Sequence, residues 1–347
     1  MPPGPVPADA LPLWWVSVLP LLLVTVTWAA VTWDAVLAAR AAGRPADLAA
    51  PAREVARLLI GQRRRTVAAD RVLWRLGPVL LPVAAVLAAL VLPLGERPVA
   101  DLGVGVVWFN AVEVLAWVAV WMAGWGPNSA LALVGGYRII AQGLAYELPH
   151  MFAIITAALG AQSLRVSDIV AAQSDLWFAV IMPVAFVVYL ISAAGMAFWG
   201  PFDAPVAGDV AGGAAAELSG VDRLLFAGGR WLLFVAASAM AVPLFLGGGA
   251  GPWLPAWAWV ALKTAAVLAV LVWLGRRFPT IRMDRFTEIS WIVLVPLTIA
   301  QALVVALIVL GQGGLPGQMG MEAGLQPGPG AVHGIGVPGL GIQEGGL

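Results

Sequence analysis

A chain of 347 residues that is 61% hydrophobic and only 11% charged is built for a bilayer, because soluble domains carry roughly 25% charged residues. Its formal net charge is zero, so nothing points to a nucleic-acid partner. It has no cysteine, which excludes a disulfide framework, a thiolate metal site and iron–sulfur ligation by this chain; any electron carrier nearby would belong to other chains.

In chain order, the Pro-rich stretch Met1–Ala10 cannot bury a core and is expected to be disordered. Eight apolar runs of about 20 residues or more follow, each long enough to span a membrane. They lie near 11–33, 74–94, 105–126, 131–160, 176–199, 228–248, 255–275 and 289–311. The first is too long for a cleaved signal core and no basic residue precedes it. No fixed-period repeat is visible. The Gly- and Pro-rich residues 311–347 are expected to be a second disordered tail. The expected architecture is all-α: an eight-span membrane domain over 11–310.

Three connections, 34–73, 200–227 and 276–288, are expected to face the cytoplasm. The first carries Arg40, Arg44, Arg53, Arg57, Arg63, Arg64, Arg65, Arg71 and Arg75. Counting alternate loops, Arg138, Arg223, Arg230, Arg276, Arg277, Arg282 and Arg285 fall on the same side, against only Arg97 and Arg165 on the other. By the positive-inside rule this places the Arg-rich loops in the cytoplasm and both termini outside. Within the first connection, Leu48–Gln62 is amphipathic at helical spacing: Val55, Leu58 and Leu59 share one face, and Arg53, Glu54, Arg57 and Arg64 the other. Such a helix can lie on the lipid surface or dock a soluble partner by its charged face, and the two can coexist.

Ionisable residues inside the spans are few. Glu147 sits mid-run in the fourth span, where an ionisable group costs roughly 2.5–3.5 kcal/mol on insertion scales. A chain keeps such a group for a partner or a wet path, so ion or proton handling is the default expectation. Pro149 cannot donate to the carbonyl of Ala145, which weakens the helix beside Glu147 and could admit water there. Glu113 in the third span and Lys263 in the seventh are expected first as structural partners, with Glu113–Lys263 or a Glu–Arg138 pair locking helices together. His150 is expected to be a packed helix residue rather than a proton carrier. The loop from Gly200 to Arg223 holds Asp203, Asp209 and Glu217, and its composition alone would suit a plain solvated loop. No nucleophile triad, phosphate loop or metal motif is present.

Ordered matches run from about Leu48 to Leu310. They include Ala123-Gly124-Trp125 with Asn128-Ser129, Ala141-Gln142 followed by Tyr146-Glu147, Ser167-Asp168-Ile169-Val170 with Gln173, and Pro201-Phe202-Asp203 with Pro205. Further on come Glu217 with Ser219-Gly220, Leu262-Lys263-Thr264, Arg276 with Pro279, Arg282, Asp284 and Trp291 with Pro296-Leu297. On these stretches the chain resembles the H-subunit (subunit 1) family of NADH-quinone oxidoreductase, respiratory complex I.

The resemblance implies an eight-span subunit at the junction with the soluble arm of a proton-translocating enzyme complex, with no redox centre of its own. Quinone would be the substrate, while FMN and iron–sulfur clusters would sit in partner subunits. It implies that Glu147 and Arg138 belong to a buried proton path, with Glu113 a further candidate. Asp203, Asp209 and Glu217 would border the quinone chamber. Arg53, Glu54, Arg57, Arg276, Arg282 and Asp284 would dock the soluble arm. Other subunits, quinone and membrane lipids are the implied partners, and a bacterial inner membrane the implied location.

The chain also departs from the family pattern. Its Arg/Gly-rich signature after the first span is reduced to Gly43-Arg44-Pro45, and Val206 and Gly208 stand where glutamates are expected. Trp199 replaces an arginine, Arg230 a glutamate, and Glu113 stands at a usually small or polar place. Two alternatives stay open: the membrane anchor of an energy-converting hydrogenase or formate-hydrogenlyase type complex, and a scaffold that docks a soluble arm without relaying protons. A carrier with a midplane site is disfavoured by the lack of inverted repeats.

Overall fold

Apolar periodicity without strand punctuation produces helices alone in the computed structural model, which describes residues 11–206 and 212–312. In order these are α1 (Trp15–Ala41), α2 (Ala50–Ile60), α3 (Arg71–Ala89), α4 (Gly105–Trp125), α5 (Ala130–Ala161), α6 (Val166–Ala171), α7 (Phe178–Ile181), α8 (Pro183–Met196), α9 (Gly220–Phe245), α10 (Ala256–Arg277), α11 (Met283–Ile289) and α12 (Val295–Gln312). A π-turn, Ser290–Leu294, joins the last two into one rod. Residues 1–10, 207–211 and 313–347 lie outside the described residues. That removes both expected tails, up to Ala10 and beyond Gln312, together with Gly208 and Asp209, from structural description.

Among the described residues seven rods are long and apolar enough to cross a membrane: α1, α3, α4, α5, α9, α10 and Met283–Gly311. The remaining expected span, 176–199, is broken. Met182 leaves helical geometry (φ −129°, ψ 62°) ahead of Pro183, and the 14 residues of α8 rise only about 21 Å, short of a hydrocarbon core of about 30 Å. Its irregular flanks are packed inside protein, where non-helical backbone at membrane depth is tolerated. Elsewhere the helices outrun the apolar runs. Residues 34–41 continue α1 and 220–227 begin α9, because tertiary contacts stabilise the extra turns. Asp34, for instance, takes a bidentate pair of 2.6 Å bonds from Arg276 at the end of α10.

The core sits where α3 packs between α4 and α9, and α5 between α4, α8 and α12. Small residues allow these close approaches: a Cβ at Gly143 of α5 would stand 2.5 Å from the ring of Trp117 on α4. The outer face is apolar, as a lipid-facing surface must be, with Leu21, Leu76, Leu303 and Leu307 exposed.

The Arg-rich connections gather at one end of the bundle. Asp70 N donates to Gly126 O (2.8 Å), Arg64 N to Ser219 Oγ (2.6 Å), and Ile281 N to Pro201 O (2.8 Å). At the opposite end Val106 N bonds Leu164 O and Arg165 pairs with Asp101 at 3.0 Å. Helix α2 lies across the Arg-rich end against α9 and α1, burying Pro51 and Leu58. Leu59, expected on the same face, is turned outward instead and is 56% exposed.

Candidate functional site

Glu147 does not stand alone. Its neighbour across the α4–α5 contact is Glu113, whose carboxyl group lies within interaction range of its own. Asn110 Nδ2 donates to Glu147 Oε1 at 3.0 Å, and His150 Nε2 stands 3.2 Å from Glu113 Oε2. Helix geometry assembles the group: Asn110 and Glu113 are three residues apart on α4, and Glu147 and His150 three apart on α5, so each pair shares a face. Glu113 and His150 are wholly buried, whereas Glu147 is partly accessible. The polar groups therefore step from an accessible carboxyl to an inaccessible carboxyl and imidazole.

Hydrogen bonding within the cluster is incomplete. Both oxygens of Glu113, Oε2 of Glu147 and both ring nitrogens of His150 lack an aligned partner; the 3.2 Å Glu113–His150 approach is close but poorly directed. Buried polar atoms are normally paired, so such a concentration of unpaired ones sets this place apart from the rest of the core. Aromatic rings wall the cluster. His150 stacks on Tyr189 (5.1 Å between centroids), Tyr189 OH donates to Ala237 O (2.8 Å), and Trp117 Nε1 donates to Tyr146 OH (2.6 Å).

The proline beside Glu147 behaves differently from the expectation of a water-admitting break. Helix α5 runs unbroken through Pro149, and the carbonyl of Ala145 that Pro149 leaves without a donor is taken by the hydroxyl of Ser290. Ser290 opens the π-turn of the last rod, so the two helical irregularities face each other and satisfy one another.

Nor do the expected structural pairs form. Lys263 makes no ion pair with Glu113: its ammonium donates to the carbonyls of Leu246 (2.7 Å), Gly248 (2.9 Å) and Ala250 (2.8 Å), and lies 4.5 Å from the centre of the Trp177 ring. It caps the C-terminal end of α9, where carbonyls lack partners and a cation is favoured. Arg138 donates to Ala204 O (3.0 Å) and Gly212 O (3.1 Å), holding the 200–219 connection against α5. Arg230 caps the end of α8 by donating to the carbonyls of Ala197 (3.1 Å) and Phe198, beneath the Trp199 ring. The positive charge at that position is thus matched by backbone carbonyls.

The loop carboxylates are held individually. Asp203 Oδ1 accepts from Thr280 Oγ1 at 3.1 Å, and Gln142 Nε2 reaches Phe202 O (3.0 Å) and Gly195 O (2.7 Å). Glu217 accepts from Ser129 Oγ (2.9 Å) and stands 3.8 Å from Arg64. The expected docking residues are largely exposed and each is held by a neighbour: Arg53 by Asp47, Arg57 by Glu54 at 2.5 Å, Arg276 by Asp34 at 2.6 Å, and Arg282 by Asp284 at 3.2 Å. The Arg57 hydrogen bond holds the Glu54 carboxyl below its usual range. Among the described residues no group of three or more His, Asp or Glu is arranged to hold a metal ion.

Sequence inspection found Glu147 and Glu113 but not their adjacency, and it left out Asn110 and Ser290. Asn110 was detectable as a polar residue one turn from Glu113. Ser290 was not, because its role depends on a contact 145 residues distant.

These features define a polytopic helical membrane protein with a buried, incompletely satisfied carboxyl–imidazole cluster beneath loops gathered at one end. A family model described as NADH dehydrogenase matches residues 12–306, taking in the first helix as well as the stretch from Leu48 onward. The chain is 37% identical over 277 residues to H-subunit 1 of the NADH-quinone oxidoreductase of Geobacter metallireducens, covering 77% of this chain and 84% of that protein. Against H-subunit 2 of the Geobacter sulfurreducens enzyme the identity is 36% with the same coverage, and against the H-subunit of Geobacillus kaustophilus 36% over 74% and 78%. The chain belongs to the NADH dehydrogenase family and, within it, to the H-subunits of NADH-quinone oxidoreductase, as its motifs indicated.

Proposed function

We propose that this chain is a membrane subunit of a proton-translocating NADH-quinone oxidoreductase, contributing part of the quinone chamber and the start of the proton path at the junction with the soluble arm. The other membrane and soluble-arm subunits are its partners, and they carry the FMN and iron–sulfur clusters; quinone is the substrate. The proposed setting is a bacterial inner membrane with the Arg-rich loops cytoplasmic and residues 11–310 as the membrane domain. The names of the relatives favour this over a hydrogenase anchor.

The observation that carries the proposal is the α4–α5 cluster. Glu147, partly accessible and held by Asn110, takes up a proton and exchanges it with buried Glu113, beside His150. Asp203 and Glu217, fixed by Thr280 and Ser129, border the chamber. Arg138 binds their connection to α5, four residues before Gln142 and nine before Glu147, so movement of the loop is felt along the helix bearing the carboxyl group. Asp209 keeps its place at the chamber on sequence alone. The test is Glu147→Gln in the assembled complex. It should retain NADH oxidation by artificial acceptors and full assembly while losing nearly all quinone-linked proton translocation; translocation at the unmodified level would reduce Glu147 to a structural role.

A further inference from the structure

At the Arg-rich end of the bundle, the segment between α2 and α3 and the first turns of α3 enclose a cavity of about 560 Å³. Arg63, Arg64, Arg65, Arg71 and Arg75 line it, with Asp222 as the one acidic lining residue. Arg63 stands 3.6 Å from Asp222 and Arg64 3.8 Å from Glu217, loose contacts that leave the site strongly cationic. Trp74 also lines the cavity. Its side chain is only 9% exposed, yet its indole N–H has no acceptor, and a buried donor without a partner is costly. Its backbone is fixed: Gly126 packs so closely that a Cβ there would stand 2.5 Å from Trp74 N. A cavity so lined by arginines calls for an anion whose oxygens can accept from several guanidinium groups, while the Trp74 indole N–H, sealed by its neighbours, takes no part.

The position selects the anion. Arg71 and Arg75 occupy the first turns of a membrane-crossing helix, where Asp70 caps the N-terminus through bonds to Val72 N (3.0 Å) and Leu73 N (3.1 Å). Directly below, Val72, Leu76, Val79 and Val83 are 65%, 50%, 43% and 44% exposed at helical spacing. They form an apolar track that descends from the arginines into the hydrocarbon region. Basic clusters at the interface end of a membrane helix bind anionic lipid headgroups.

We infer that this cavity is a specific site for one anionic phospholipid, its phosphate among Arg65, Arg71 and Arg75 and an acyl chain along the Val72–Val83 track. Bound there, the lipid would tie the 61–70 segment, and through Arg64 the Ser219 and Glu217 region, to the membrane surface.

The experiment is native mass spectrometry of the detergent-purified complex after exchange against vesicles of phosphatidylcholine containing a minority of phosphatidylglycerol. The wild-type complex should retain phosphatidylglycerol in preference to phosphatidylcholine, and an excess of inorganic phosphate should not displace it. Arg71→Gln with Arg75→Gln should weaken retention about fivefold per arginine. Indifferent retention of the two lipids, unchanged retention in the arginine variants, displacement by inorganic phosphate, or an acidic segment of a neighbouring subunit filling the cavity would each overturn the assignment.

Discussion

Lys263 and the α4–α5 cluster both keep ionisable side chains away from bulk water, and they do so in opposite ways. At Lys263 every ammonium hydrogen has an acceptor, three carbonyls within 2.9 Å, and an aromatic ring lies beneath. At Glu113, Glu147 and His150, five polar atoms lack an aligned partner, although the residues touch one another. A charge satisfied by fixed backbone dipoles has one arrangement and works as a clamp. Under the function proposed above, a group of half-satisfied acids and an imidazole would have several arrangements of similar energy, differing in where a proton resides. Arg230, spanning the carbonyls of Ala197 and Phe198, falls with the clamps.

The sharpest way to break this contrast is Lys263→Met. It orphans three carbonyls at the end of α9, and a loss on the order of 3 kcal/mol or more is expected. The thermal midpoint of the solubilised assembly should drop, with little change in proton yield per quinone reduced among the molecules that stay folded. A selective loss of proton yield would move Lys263 to the functional side. Next in size is Ser290→Ala, which leaves the Ala145 carbonyl exposed by Pro149 without a donor. It should cost about 1–3 kcal/mol in unfolding measurements. An unchanged midpoint would mean that the two helix irregularities do not support each other.

The contrast also explains what could be read from the chain alone. Eight apolar runs and the Arg bias are properties of local composition, so the all-helical membrane class was legible, and so was the gathering of the Arg-rich connections at one end. Glu147 was legible because a carboxyl in such a run is conspicuous by itself. The partners of Lys263 and Arg230 were not, because backbone carbonyls at helix ends leave no mark in sequence; a Glu–Lys pair was the natural guess, and carbonyl caps replaced it. The interruption at Met182–Pro183 was masked by uniformly apolar neighbours, for hydropathy records burial in lipid and not helical continuity. The adjacency of Glu113 and Glu147 required knowing which faces of α4 and α5 meet.

The smallest effect is expected on the surface. Arg57→Gln breaks an exposed pair with Glu54 and should leave the thermal midpoint in place, since exposed ion pairs contribute little. If α2 docks the soluble arm, the variant should release that arm at lower salt than the parent complex. Identical salt profiles would leave α2 as a lipid-surface helix only.

The central claim is that the Glu113–Glu147 pair exchanges a proton during turnover. Reaction-induced infrared difference spectroscopy of the complex reports this directly through the carboxyl C=O stretch. A band sensitive to deuterium that appears on quinone reduction and disappears in both Glu113→Gln and Glu147→Gln is the predicted result. A spectrum with no carboxyl band, or one whose band survives both substitutions, would contradict it.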